Sequence, residues 1–191
     1  LPGKHAGISS LTDVGSLAPK LSKQAQKKEG LVGIHHSENR REDIEPLIEL
    51  NPDFVVHMCH ATDEDLLALK EANISIVVCP RSNNYFGNKP PLEKMIELGL
   101  DLGFGTDNGM ICSVNILDEI RYIKENFPSI NLHKILEIAC FGLSDMFNKD
   151  GTSRYFNPKL SGWALLSREA IDNYESIFNP ETKVLGARWR N

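Results

Sequence analysis

The sequence contains no apolar run long enough to cross a bilayer, and none laid out like a secretory leader. A membrane partner is therefore not expected. It has four cysteines, Cys59, Cys79, Cys112 and Cys140, with no Cys-x-x-Cys pair among them. Each sits in an apolar context, which suits reduced thiols in a cytoplasmic protein. Positive charge is not in excess: 21 Lys and Arg face 26 Asp and Glu, for a net charge of −5. No non-specific nucleic-acid binding is expected from that balance. The chain also lacks an initiating Met, and from Leu1 it soon enters a strand-like run. That start suggests a fragment or a processed product. What remains is an ordinary composition, 41% hydrophobic and 25% charged over 191 residues, enough for a domain with a core.

The informative stretch runs from Gly30 to Asn108. Four short apolar runs there each stop abruptly in polar residues: His35-His36-Ser37-Glu38, His57-Met58-Cys59-His60, Cys79-Pro80-Arg81-Ser82-Asn83 and Gly105-Thr106-Asp107-Asn108. Buried strands that feed polar loops at one end suit the active-site face of an α/β barrel. The ends near His35, His57, Cys79 and Phe104 lie 22, 22 and 25 residues apart. That spacing is too long for hairpins and right for strand–helix–strand crossovers. With a further strand near Ile8, the pattern predicts five parallel strands. A closed barrel needs eight, so either an open sheet or the C-terminal part of a barrel is expected.

Between the strands the periodicity predicts helices. Leu17, Leu21 and Ala25 mark one, with Ser16 as its N-cap. Ile44, Leu47 and Ile48 mark another, ended by Asn51-Pro52. Thr62 to Asp65 opens a third as a near-capping-box, with Leu66, Leu67 and Leu69 as its apolar side. After Cys79 an Asn- and Gly-rich loop is expected, then a helix begun by Pro91 and closed by Gly99. Helices are expected near residues 113–126, 131–140 and 143–147. From Lys149 the character changes. A boundary near Asn148 is expected, followed by a loop over 151–158 and a strand over 163–166. A hairpin of 176–178 and 183–189 would turn about Asn179 to Thr182.

His35 and Glu38 lie three apart at a strand end. Imidazole is a good Zn²⁺ or Fe²⁺ ligand, and a nearby carboxylate can move the proton of an activated water. Taken alone, they read more readily as a structural histidine and a solvated loop charge. His36 should point away from His35. His57, with His60 in the loop beyond it, has the same two readings. Parallel neighbours that both end in histidine favour a shared site. Asp107 follows Gly-Phe-Gly-Thr and could be ligand and base, or a turn aspartate. The Pro80 to Asn83 segment offers hydrogen-bond donors over the same mouth, or is simply a polar loop.

Together the segments GIHHSEN, VVHMCHA, VVCPRSNN with PPLEKMIELGL, and GFGTDN resemble the amidohydrolase superfamily. The likeness is to its cytosine, guanine and S-adenosylhomocysteine deaminase and chlorohydrolase branch, and runs from about Gly7 to Phe147. SGWALLS in the tail resembles the strand that rejoins the β-sandwich beside such barrels. The resemblance implies that His35 and Asp107 bind a metal, that Glu38 shuttles protons, and that His57 orients the hydrolytic water. It also makes Asp107 the general base. Ser82 and Asn83 match a loop shaping the substrate pocket, and His60 and Asn108 complete the substrate-binding candidates. The family's strand-one His-x-His pair is absent, and no lysine ends the strand near Ile8 as a carbamate bridge. One divalent ion, Zn or Fe²⁺, is therefore implied for the whole enzyme, and an incomplete site for it in this chain.

The fold expected is α/β, the C-terminal part (about strands 4–8) of a TIM-type (β/α)₈ barrel with a small β appendage. Residues 1–148 would form the partial barrel, and 149–191 a segment of the flanking β-sandwich. The implied reaction is hydrolytic deamination of a purine, pyrimidine or related heterocycle, with dechlorination or amide hydrolysis by the same parts as alternatives. Rival readings are a catalytically incomplete fragment and a non-enzymatic α/β binding module. A small-molecule substrate, the missing N-terminal half of the barrel and a homo-oligomer partner are expected.

Overall fold

The structure, a computed structural model, describes residues 4–143, 163–166, 174–178 and 180–188. Five parallel strands pair in chain order: β1 Ala6–Ile8, β2 Val32–His36, β3 Phe54–His57, β4 Ser75–Val78 and β5 Leu102–Phe104. The helices between them are α1 Leu11–Val14, α2 Ala18–Gln26, α3 Ile44–Leu50, α4 Asp63–Glu71, α5 Pro80–Tyr85 and α6 Leu92–Glu97. Then come α7 Ile116–Asn126 and α8 Leu132–Phe141. Each crossover carries a helix back along the sheet, which is what parallel pairing of consecutive strands demands.

The register sorts the sheet into two faces. Ile34, Val55, Ile76 and Leu102 stand opposite one another across β2 to β5. All four are buried, under Leu47, Leu66, Leu69, Leu92 and Met95 of the covering helices. The next row, His35, Val56, Val77 and Gly103, points to the other face. Gly33, on that face, pairs with Phe54, and a Cβ there would come within 2.3 Å of the Phe54 ring. Only glycine leaves room for that ring to lie across the strand.

Several helices follow the sequence closely. Thr62 and Asp65 form a full capping box, and Asp65 also takes a two-pronged bond from Arg41. Asn51 leaves α3 with a left-handed φ of 47°, and Gly99 leaves α6 at 68°. Asn115 and Asn131 cap α7 and α8.

Other expectations are corrected. The segment beginning at Leu11 is two helices with a 3-10 turn, Gly15–Leu17, between them. The cap is Ser10, which accepts the Asp13 N–H at 2.9 Å, and Ser16 caps nothing. The α2 face turned inward is Ala18, Ser22 and Ala25, small side chains that let the helix sit close to the sheet. Leu17 and Leu21 are left 57% and 38% exposed. Leu67 likewise faces out of α4, while Leu66 and Leu69 are buried. The loop expected after Cys79 is instead α5, begun by Pro80 at a position where its missing N–H costs nothing. Pro91 precedes α6 as its cap.

In the tail, β6 Trp163–Leu166 pairs antiparallel with β7 Val184–Arg188. The strand expected at 176–178 is a 3-10 turn, Tyr174–Phe178, so β7 hairpins with β6 rather than with its near neighbour. The turn sends Phe178 into the core against α7, where the Lys124 ammonium lies 4.8 Å over its ring. The helix expected near 143–147 falls, but for Leu143, outside the described residues, as do the 151–158 loop and the boundary at Asn148. The free edge of β5 is covered by the end of α8. A Cβ on Gly142 would stand 2.0 Å from the Leu102 carbonyl, and the Leu143 N–H reaches Asp101 at 3.3 Å.

Candidate functional site

The strand ends converge. Glu38, His57 and Asp107 each offer a ligand atom, and these atoms lie within 4.8 Å of one another. Glu38 Oε2 is 3.7 Å from His57 Nε2. His57 Nε2 also shares a 3.0 Å hydrogen bond with His35 Nδ1, the rings meeting edge to face at 4.9 Å. All four residues expected to carry chemistry therefore sit at one mouth, on the loops or last residues of β2, β3 and β5.

Plain strand geometry would not do this. His57 pairs in register with His36, not His35, so a regular pleat would aim it at the face His36 occupies. The backbone turns over instead: His57 and Met58 have φ of 79° and 54°. Ser37 and Asp107 are also left-handed, at 49° and 56°. Four non-glycine residues in this costly region at the ends of three strands mark a place where the surrounding fold holds strain. His36 stays outside the cluster, buried against the Ser37 hydroxyl at 3.0 Å and the Asp43 carbonyl at 3.2 Å.

The segment after β4 works differently from expectation. Ser82 and Asn83 are fully buried. The Ser82 hydroxyl donates to Asp107 Oδ2, and Asn83 Nδ2 donates to His57 Nδ1 at 2.9 Å. Both side chains hold other site residues and present no free surface of their own. His60 is exposed, bonded to Asn88 at 3.0 Å, and Asn88 in turn donates to Asn39 at 2.9 Å. That chain ties the rims of three loops together. Asn108 is exposed and spends its side-chain oxygen on the Met110 N–H, closing a turn.

Burial sets the electrostatics. It holds His57 neutral, its pKa depressed to about 4, with the neighbouring His35 adding to the effect and Asp107 and Asn83 opposing it. His35 is also lowered by burial, partly offset by Asp107. Glu38 is raised by burial and then by repulsion from Asp107, which suits a carboxyl that takes up and gives back a proton. Burial pushes the Cys59 thiol to about 12 and Cys79 higher still, so neither is a thiolate nucleophile.

The sequence reading missed Glu119. Its side chain is fully buried on α7, accepts the Arg81 N–H at 2.8 Å, and has its pKa lifted to about 7 by burial. A signal was present: on a helical wheel Glu119 borders the apolar arc of Leu117, Ile120 and Ile123 on the Ile123 side, close enough to that face to be drawn inward.

The donor set suits a divalent cation of the zinc or iron kind: two carboxylates and an imidazole at short mutual distance, with a second imidazole beside them. A profile of the amidohydrolase family matches residues 20–151. A 5-methylthioadenosine/S-adenosylhomocysteine deaminase of Caldanaerobacter subterraneus is 32% identical over 97% of this chain and 47% of its own length. A triazine hydrolase variant superposes with a TM-score of 0.73 at 14% identity, over 97% of this chain and 47% of that one. A mutant atrazine chlorohydrolase from Arthrobacter aurescens, solved with zinc and atraton, gives a TM-score of 0.62 at 14% identity, over 78% and 39%. The chain thus spans less than half the length of each of these relatives.

Proposed function

As this chain belongs to the amidohydrolase family, we propose that the protein it represents hydrolyses a C–N bond, deaminating a purine, pyrimidine or related heterocycle. Residues 1–148 are the part of its barrel that carries these strand ends, and residues 149–191 part of a flanking β segment. The remaining barrel wall comes from outside this chain. The observation that carries the proposal is the convergence of Glu38, His57 and Asp107 at the ends of β2, β3 and β5, with His57 and Asp107 on left-handed backbone.

His35 and Asp107 would hold a divalent ion, taken to be zinc, with Glu38 and His57 alongside. Such an ion lowers the pKa of water from 15.7 towards about 7, making hydroxide available near neutral pH. Asp107 accepts the proton that the attacking water loses, its orientation fixed by the Ser82 hydroxyl. His57, kept neutral by burial, hydrogen-bonds the water and is itself steadied by Asn83. Glu38, with its raised pKa, delivers a proton to the ring nitrogen as the carbon becomes tetrahedral. Ammonia then leaves with a proton returned through the same carboxylates.

The test is an ammonia-release screen of heterocyclic amines with the full-length gene product, wild type against Glu38→Gln. Turnover that falls roughly 10²–10⁴-fold in the variant, with metal content retained, is expected. Undiminished turnover by Glu38→Gln would remove Glu38 from the mechanism.

A further inference from the structure

The first turn of α5 is a junction. Three consecutive residues each bond a different element: the Arg81 N–H goes to Glu119 on α7, Ser82 to Asp107 after β5, and Asn83 to His57 at the end of β3. The residue before the helix, Cys79, makes no capping bond, so α5 starts on Pro80 without a side-chain cap. Glu119 supplies that fixing point from another helix. Its second oxygen lies 3.8 Å from the Arg81 guanidinium and has no hydrogen-bond partner. The guanidinium is held in addition by Ser113, through its hydroxyl at 3.0 Å and its carbonyl at 3.4 Å.

Glu119 is not needed by its own helix. Asn115 already caps α7, and Asp118 in its first turn already pairs with Arg121. A buried carboxylate is expensive where an apolar side chain would pack as well, and one with an unpaired oxygen more so. Among the described residues its one hydrogen-bond donor is the Arg81 amide, in the backbone that carries Ser82 and Asn83.

We propose that Glu119 is a positioning residue of this site: by gripping the Arg81 amide it sets the start of α5, and through Ser82 and Asn83 it orients Asp107 and His57. The roles of Asp107 and His57 rest on the function proposed above; the placement of their side chains by Glu119 does not. Small displacements of such groups are costly, about 10²-fold for an ångström.

The experiment compares Glu119→Leu, which removes the acceptor, with Glu119→Gln, which keeps a carbonyl oxygen for the Arg81 N–H. Two readouts are taken on each after a thermal melt confirms folding. Imidazole ¹⁵N spectra should show the His57 ring resonances displaced in Glu119→Leu, in the direction seen with Asn83→Ala, and unmoved in Glu119→Gln. With a substrate in hand, kcat should drop roughly 10–100-fold in Glu119→Leu with KM little changed, and stay within about threefold in Glu119→Gln. Adding Glu119→Leu to a Ser82→Ala, Asn83→Ala background should cost less than about threefold more, since the residues act as one chain. A folded Glu119→Leu with unmoved His57 resonances overturns the proposal, as does a Glu119→Gln that fails as badly as the leucine variant. If the wild type hydrolyses nothing, the proposed function fails, and the spectra still decide on Glu119.

Discussion

The two faces of the parallel sheet are built from the same five strands by opposite rules. On one, Ile34, Val55, Ile76 and Leu102 form an unbroken apolar row sealed by helices. On the other, His35, Val56, Val77 and Gly103 mix an imidazole, two valines and a glycine, and His35 and Val77 stay partly open. The first face is where stability is made, because apolar area leaves water there. The second gives up some of that burial to hold polar groups where the strands end. Partial exposure on this face also fits a chain that spans less than half of its relatives' length.

Breaking the sealed face has the largest expected effect on stability. Ile76→Ala should cost about 2–5 kcal/mol, by lost transfer energy and the cavity left behind, read from urea unfolding. The rate per folded molecule should hardly change. A small stability loss would mean that the row can collapse around the gap and is less tightly packed than its burial indicates.

On the open face the constraint is shape. Gly33→Ala places a methyl group against the Phe54 ring and should cost about 1–3 kcal/mol. Phe54→Leu in the same chain should recover part of it. Failure of that second change to help would show that the glycine is required by its backbone and not by the ring.

The smallest effect expected is on pH dependence. Burial holds the folded His57 imidazole down at about 4, below its ordinary 6.5, so the unfolded chain binds the extra proton between those values. Its contribution to stability is complete above about pH 6.5 and is lost as the pH falls towards 4. His35 and His36 act in the same sense. Glu119, raised to about 7, acts in the opposite sense and partly offsets them. Urea midpoints from pH 4.5 to 7.5 should therefore be less pH-dependent in His57→Gln than in the wild type. An equally steep acid limb in that variant would show that His57 is not held neutral.

The sealed face was legible in the sequence, because β-branched runs ending at His35, His57 and Cys79 with 22-residue spacing leave few other folds. The capping box at Thr62 and the left-handed exits at Asn51 and Gly99 were legible for the same local reason. The placement of polar groups was only half legible. Identity and order along the chain brought out His35, Glu38, His57 and Asp107. The device that joins His57 to His35, a left-handed residue at a strand end, has no signature in a sequence where that residue is histidine. Ser82 and Asn83 looked like pocket lining because the segment resembled a loop; as a helix it turns both inward. Glu119 was passed over because an acidic residue in the first turns of a helix usually serves the helix itself. Leu17 and Leu21 misled for a related reason: the 3-10 turn before α2 and the demand for close packing turn Ala18, Ser22 and Ala25 inward instead.

In the function proposed above, Asp107 stands at a metal-dependent hydrolytic centre shared with Glu38, His35 and His57. The most direct measurement is zinc-dependent ammonia release by the full-length protein after chelation, wild type beside Asp107→Asn. The wild type should regain turnover on titration with about one equivalent of zinc, and Asp107→Asn should stay at least about 10³-fold slower at every zinc level tested. Restoration of Asp107→Asn to wild-type turnover, or wild-type turnover that survives complete removal of metal, would contradict the account.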